Sequence, residues 1–274
     1  MIKKVYLRAE RLHPFSNFKV IYWKLENFKR MKEIGKLALI LIAVICCFYG
    51  TLSAQNTMET NTTLSEKQQS IVPIAALTAK GELEQLKPAL NAGLEAGLTI
   101  NEIKEIMVHL YAYCGFPRSI RGLQTFMEVL DERKAKGITD ETGSDASAIN
   151  DERSKYDRGK ANLEELIGRT LDGPQRAYAA FAPVIEIFLK EHLFSDIFDR
   201  DVLSYAEREL VTVSVICAIG KAEPMLRSHL AICLNVGYSP EQLNEFVGII
   251  KSTVGKKEAK AALAVLNEVL DNRE

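Results

Sequence analysis

Two short stretches of this chain carry the residue types that chemistry near neutral pH requires. The first is His109-Leu-Tyr-Ala-Tyr113-Cys114-Gly115-Phe116-Pro117-Arg118. The second is Leu226-Arg227-Ser-His229, followed by Asn235-Val-Gly237-Tyr-Ser-Pro-Glu241-Gln-Leu. A free imidazole titrates near pH 6.5, so His109 and His229 are the candidate proton-transfer residues. Asp196, in Asp196-Ile-Phe198-Asp-Arg200, is a candidate to orient or charge an imidazole. Arg118 and Arg227 are candidates to hold a substrate carboxylate through paired hydrogen bonds. Tyr113 reads first as a packing residue and second as a substrate contact. Cys114 opens a different route, through a thiolate. Its place near the end of a helix raises a thiol's pKa, and His109 or Arg118 would have to offset that. Two histidines and one carboxylate are thin material for a metal centre. No metal and no cofactor are expected, and His13 and His192 read as surface residues.

The elements that must position these residues come from an internal repeat. Leu64–Arg133 and Leu203–Arg273 carry the same pattern. Leu64-Ser65, Val72 and Gly81 face Leu203-Ser204, Val211 and Gly220, and after one inserted residue Leu86, Leu90, Gly97, Glu105 and Gly115 face Leu226, Leu230, Gly237, Glu245 and Gly255. A repeat of this length marks a duplicated helical unit. The copies differ where chemistry would sit. His109, Tyr113 and Cys114 face Ile249, Thr253 and Val254, and His229 faces Ala89.

Within the first copy, Ser65 is a candidate N-cap, Gly81 ends a helix, and Gly97 stops a second one that runs from about Leu83 to Ala96. Thr99 with Glu102 forms a capping box for a third, carrying the buried stripe Ile103, Ile106, Met107 and Leu110. Gly115-Phe116-Pro117 is expected to break that helix, and a fourth follows. In the second copy, Ser239-Pro240 starts a helix. Residues 134–150 read as a polar linker. Residues 151–200 have no counterpart in the first copy and read as a short helix near Ala161–Ile167 and a longer one from Pro174 to about Phe198. No segment alternates as a strand does, so the fold class is all-α. The expected organisation is 1–54 as an N-terminal extension with a signal peptide, 64–133 as the first repeat, 134–150 as the linker, and 151–274 as the second repeat with extra helices.

Hydrophobic residues make up 47% of the 274, enough for a packed core. The net charge of −1 hides an asymmetry: residues 1–54 hold ten basic and three acidic residues, and the rest holds eight more acidic than basic residues. An acidic body without a basic stripe argues against nucleic acid as a partner. Lys32 and Lys36 precede the apolar run 37–48, which leads to Leu52-Ser53-Ala54. That order reads as an export signal cleaved near Ala54, with Met31 as the start, and implies a periplasmic or secreted protein with no lasting membrane association. The alternative is an uncleaved N-terminal anchor. Cys114, Cys217 and Cys233 would then remain, an odd number that offers no disulfide framework.

The Tyr-x-Gly-x-Pro stretch at Tyr113–Pro117 with His109 upstream, together with the segments around Asp196 and His229, resembles the carboxymuconolactone decarboxylase family of the alkyl hydroperoxidase D-like superfamily. The resemblance covers about residues 64–133 and 151–274. It implies a compact fold of helix pairs, a homo-oligomer, and a site that takes a small-molecule substrate. It also implies acid–base chemistry, either decarboxylation or isomerisation of a small carboxylate or lactone. Peroxidase members of the superfamily use a Cys-x-x-Cys pair followed by His, and the exported part of this chain has no such pair. A thiol peroxidase acting through Cys114 is therefore the first alternative, and a non-catalytic binding protein the second.

Overall fold

The computed structural model describes residues 62–173 and 176–273. The export signal, the Met31 start and the Pro174 helix start fall outside the described residues. The elements in order are α1 (Glu66–Lys80), α2 (Leu83–Glu95), α3 (Ile100–Ala135), α4 (Lys155–Ile167), α5 (Ala177–Phe181), α6 (Pro183–Phe188), α7 (Leu189–Ile197), α8 (Tyr205–Ile219), α9 (Glu223–Asn235), α10 (Pro240–Thr253) and α11 (Lys256–Asp271). The described chain is all-α, as the sequence predicts. None of its helices is long and apolar enough to cross a membrane.

The repeat is visible in the caps. Ser65, Thr99, Ser204 and Ser239 each close a capping box with the Gln or Glu three residues on. Each box satisfies backbone N–H groups that the first helical turn leaves without partners. Gly115 lies at φ 81°, a conformation that costs a residue with a Cβ but not glycine. With ψ at 161° its backbone is non-helical, so α3 consists of two helices that meet at Gly115, and the break expected at Gly115-Phe116-Pro117 is present. At the matching point of the second copy, Gly255 lies between two distinct helices, α10 and α11.

The two copies share one hydrophobic core. α1 packs on α8, the first half of α3 packs on α8, and α10 packs on α1, so each copy lays its third helix on the first helix of the other. Ile71, Ile74, Leu86, Ile103, Ile106, Leu210, Val213, Leu230 and Phe246 are fully buried in this cluster. Burying a side chain of that size contributes about 1.5–3 kcal/mol, so the shared core makes the copies one folding unit.

The segment between the copies forms its own layer. α4 packs on α7 so closely that a Cβ at Gly159 would fall 1.9 Å from the Lys190 carbonyl oxygen. The long helix expected from Pro174 to Phe198 is three pieces: α5, α6 and the π-helical α7. Ala182 interrupts it with non-helical backbone (φ −132°, ψ 78°) ahead of Pro183, which disfavours the helical region in the residue before it. In α7 the turn widens, with the Phe198 N–H donating to the Leu193 carbonyl five residues back. Leu163, Leu166, Leu193, Phe194, Ile197 and Phe198 form a second small core between this layer and Ile232 of α9.

Candidate functional site

α8 carries most of the site. Its stretch Leu210–Ala218 is buried on every side, and the two charged residues immediately before it are buried with it. Arg208 and Glu209 are both fully buried, and they point to two different polar groups.

The first group is structural in character. Arg208 Nη2 donates to Glu105 Oε1 at 2.8 Å, and Arg200 grips the same carboxylate with contacts of 2.9–3.0 Å. Arg208 Nη1 lies 3.3 Å from His109 Nδ1. A guanidinium only donates, so Nδ1 accepts and the ring proton sits on Nε2. His109 Nε2 then donates to Thr212 Oγ1 at 2.9 Å, and Thr212 donates to the Arg208 carbonyl at 2.9 Å. Burial, reinforced by the Arg208 charge, pushes the His109 pKa well below the usual histidine value. His109 is a neutral, fully buried ring with both nitrogens engaged, and it does not line the cavity described next.

The second group faces a cavity. Glu209 Oε2 lies 2.7 Å from His229 Nδ1 on α9. The carboxylate is completely buried, while the imidazole keeps 14% of its side-chain surface. With Nδ1–H held by Glu209, His229 Nε2 is left without a partner among the described residues. Tyr113 stands edge-on to His229 at 6.0 Å between ring centroids and 5.4 Å from His109. Three buried polar side-chain atoms lack a hydrogen-bond partner among the described residues: Tyr113 Oη, Glu209 Oε1 and Arg208 Nε. Tyr113 Oη and Glu209 Oε1 lie beside His229, and Arg208 Nε belongs to the neighbouring group around His109. Buried polar groups are nearly always satisfied, so such a concentration marks a functional place.

The cavity measures about 740 Å³ and is mostly apolar. Tyr113, His229, Ile232 and Ile216 come from the repeats, and Leu163, Ile167, Leu189 and Phe194 come from the layer between them. Size and lining fit a small-molecule site.

The other sequence candidates lie elsewhere. Asp196 does pair with an imidazole, but with that of His192 at 3.1 Å on the surface, and with Lys155 at 2.7 Å. Glu209 takes the role that Asp196 was expected to fill. Arg118 is exposed and lies against Gly81 at the end of α1. Arg227 does line the cavity, and its Nε donates to Glu268 at 3.0 Å. Cys114 is half-buried and donates to the Leu110 carbonyl at 3.2 Å. Burial pushes its thiol up to about 11, with the Arg118 charge pulling weakly the other way. Cys217 and Cys233 are buried and free, with the Cys217 thiol pushed up to about 12. No cluster among the described residues holds three or more metal-ligating side chains. Arg208 and Glu209 went unread in the sequence, although a charged pair entering an all-apolar helix is a legible signal.

The comparisons with known proteins agree with this architecture. The carboxymuconolactone decarboxylase family pattern matches residues 51–126 and 185–268, more than half of the chain and both copies of the repeat. A 4-carboxymuconolactone decarboxylase of Acinetobacter baylyi is 27% identical over 122 residues, which is 44% of this chain and 90% of that protein. An uncharacterized protein of Methanocaldococcus jannaschii is 31% identical over 70 residues, 26% of this chain and 65% of that protein. The chain belongs to the carboxymuconolactone decarboxylase family.

Proposed function

We propose that the protein performs acid–base chemistry, decarboxylation or isomerisation, on a carboxylate or lactone bound against His229. The observation that carries this reading is the 2.7 Å contact between buried Glu209 and the cavity-facing His229. A carboxylate behind an imidazole fixes the tautomer and stabilises the imidazolium that forms when the far nitrogen takes a proton. His229 Nε2 removes a proton from a carbon next to a carbonyl and returns it at another carbon of the conjugated system. In the decarboxylating version, His229 first takes a proton from solvent; the bond to the carboxylate then breaks, carbon dioxide leaves while the electron pair passes into the conjugated carbonyl, and the imidazolium delivers its proton to the carbon and returns to neutral. The name of the Acinetobacter relative supports this class of reaction.

His109, with Glu105, Arg200 and Arg208, serves as the frame that holds α3 on α8 and so places Tyr113 beside His229. Cys114 has no part in this reading. Its raised pKa leaves little thiolate at neutral pH, and a peroxidase needs a thiolate. We further propose that the reaction takes place outside the cytoplasm, a reading supported by the apolar run at 37–48 in the sequence.

The test is proton exchange and carbon dioxide release from a panel of unsaturated γ-lactone acids and unsaturated carboxylic acids, with short and long apolar chains, in deuterium oxide. The wild-type chain is expected to exchange or decarboxylate at least one member, and His229→Gln to lose about 10²-fold or more of that rate. Equal rates for the two proteins, or no reaction across the panel, would remove the reading.

A further inference from the structure

The cavity holds more than the His229 chemistry requires, and its charge is one-sided. Arg169, Arg176 and Arg227 line it, and among the described residues no Asp, Glu or Lys does. This occurs in a chain whose residues 55–274 hold eight more acidic than basic residues. Arg227 is already engaged with Glu268. Arg169 and Arg176 pair with no acidic residue among those described. Arginine is the side chain best suited to a planar carboxylate.

The origin of these groups adds a second observation. Leu163, Ile167, Arg169, Arg176 and Tyr178 all fall between the two stretches that match the family pattern. The repeats supply His229, Glu209 and Tyr113, while the segment between them supplies an apolar wall and the two unpaired guanidinium groups. At about 740 Å³, with apolar exposed surface well in excess of polar, the space suits a ligand much larger than a compact lactone acid.

Building on the reading of this cavity as the reaction site, we infer that its substrate is an amphipathic monocarboxylate, a carboxylic acid carrying a bulky apolar body, selected by Arg169 and Arg176. The apolar body lies against Leu163, Ile167, Leu189 and Phe194. The carboxylate meets the arginines, away from the buried negative charge of Glu209, so of the two reaction types it is isomerisation, by proton transfer along the apolar body, that this placement brings to His229. Substrate choice is then a property of the inserted layer and reaction type a property of the repeats.

Calorimetric titration of the full chain with dodecanoate, dodecanol and dodecyltrimethylammonium, each below its micelle concentration, tests this. Dodecanoate is expected to bind about tenfold or more tighter than dodecanol, and the cation weakest, as charge-assisted hydrogen bonds to arginine require. The Arg169→Ala/Arg176→Ala double variant should bind acid and alcohol equally, with its dodecanol affinity unchanged as the sign of an intact cavity. If that variant loses dodecanol as well, a salt series on the wild type decides. An acid preference that shrinks with added salt supports the inference, and one that does not overturns it. Equal binding of acid and alcohol by the wild type, no binding of either, or a preference that survives the double substitution also overturns it. His229→Gln separates the two readings. Acid preference without His229-dependent turnover removes the catalytic reading alone, and turnover without acid preference removes only this inference.

Discussion

The same fold is present twice, and only one copy of its polar site was kept. Glu105, His109, Arg208, Glu209, Thr212 and His229 correspond to Glu245, Ile249, Gln69, Ser70, Pro73 and Ala89. In the first set a buried carboxylate pairs with a buried guanidinium, and a buried glutamate backs a cavity-facing imidazole. In the second, Glu245 is only half-buried and accepts the Leu64 N–H at 2.7 Å, while Gln69 donates to the Leu64 carbonyl at 2.9 Å. The pseudosymmetric site has become a clamp for the chain entering α1. What separates the two is cover. The layer from α4 to α7 lies beside the first site, and the turn that follows α7 contributes Phe198 at 5.2 Å from His109 and Arg200 on Glu105. Buried charge is sustained only where partners and a dry surround come together, and a single inserted layer can supply those to only one of two related positions.

The largest effect that can break this contrast is on stability. Glu105→Ala leaves Arg208 buried without its carboxylate and is expected to cost about 3–5 kcal/mol. Glu245→Ala, at the matching position, removes one hydrogen bond to a backbone N–H and should cost about 1 kcal/mol. Urea unfolding of both variants measures the difference, and similar losses would show that the two sites are energetically alike. Next comes Glu209→Gln, which keeps the shape but removes the charge behind His229. It should lower kcat about 10²-fold on any substrate found, whereas Ser70→Ala at the related position leaves kcat alone.

A smaller effect is set by His109. Its folded pKa lies far below that of the unfolded chain, which is near 6.5. Above pH 6.5 neither state holds the extra proton and the stability is complete. Below it, the unfolded chain takes up a proton that the buried ring refuses, so stability falls by up to about 1.4 kcal/mol per pH unit. His109→Gln should flatten that part of the curve between pH 6.5 and 5. An identical slope in the variant would mean that the ring is protonated in the folded protein.

Most of the fold could be read because helix caps and apolar spacing are local. Ser65, Thr99 and Ser239 announce their helices within four residues, and the offset between the copies aligns one with the other. What escaped depends on the third dimension. Asp196 and Glu209 are both carboxylates upstream of His229, and no spacing rule says which one the fold carries to the ring. His109 looks reactive in sequence, and that α8 buries it with Arg208 and Thr212 at its two nitrogens is nowhere written in the spacing. The segment from 151 to 200 has a helical composition, but the widened turn of α7 and the break at Ala182 answer to packing against α4.

The smallest expected effect bears on Cys114, which the second copy replaces with Val254. If the thiol is a packing group, the second copy already contains its substitute. Its pKa of about 11 lies well above the free-thiol value near 8.5, because desolvation of the half-buried thiolate outweighs the attraction of Arg118. Alkylation should therefore be slow at pH 8, climb only as the pH approaches 11, and be indifferent to peroxide. Cys114→Val should change stability by less than about 1.5 kcal/mol, as a near-isosteric exchange does, and should leave His229-dependent turnover intact. Rapid alkylation at pH 7 with protection by peroxide would reverse the argument. It would mean that the first copy retained a thiol chemistry of its own, and that the two copies diverged toward separate reactions instead of one active and one structural site.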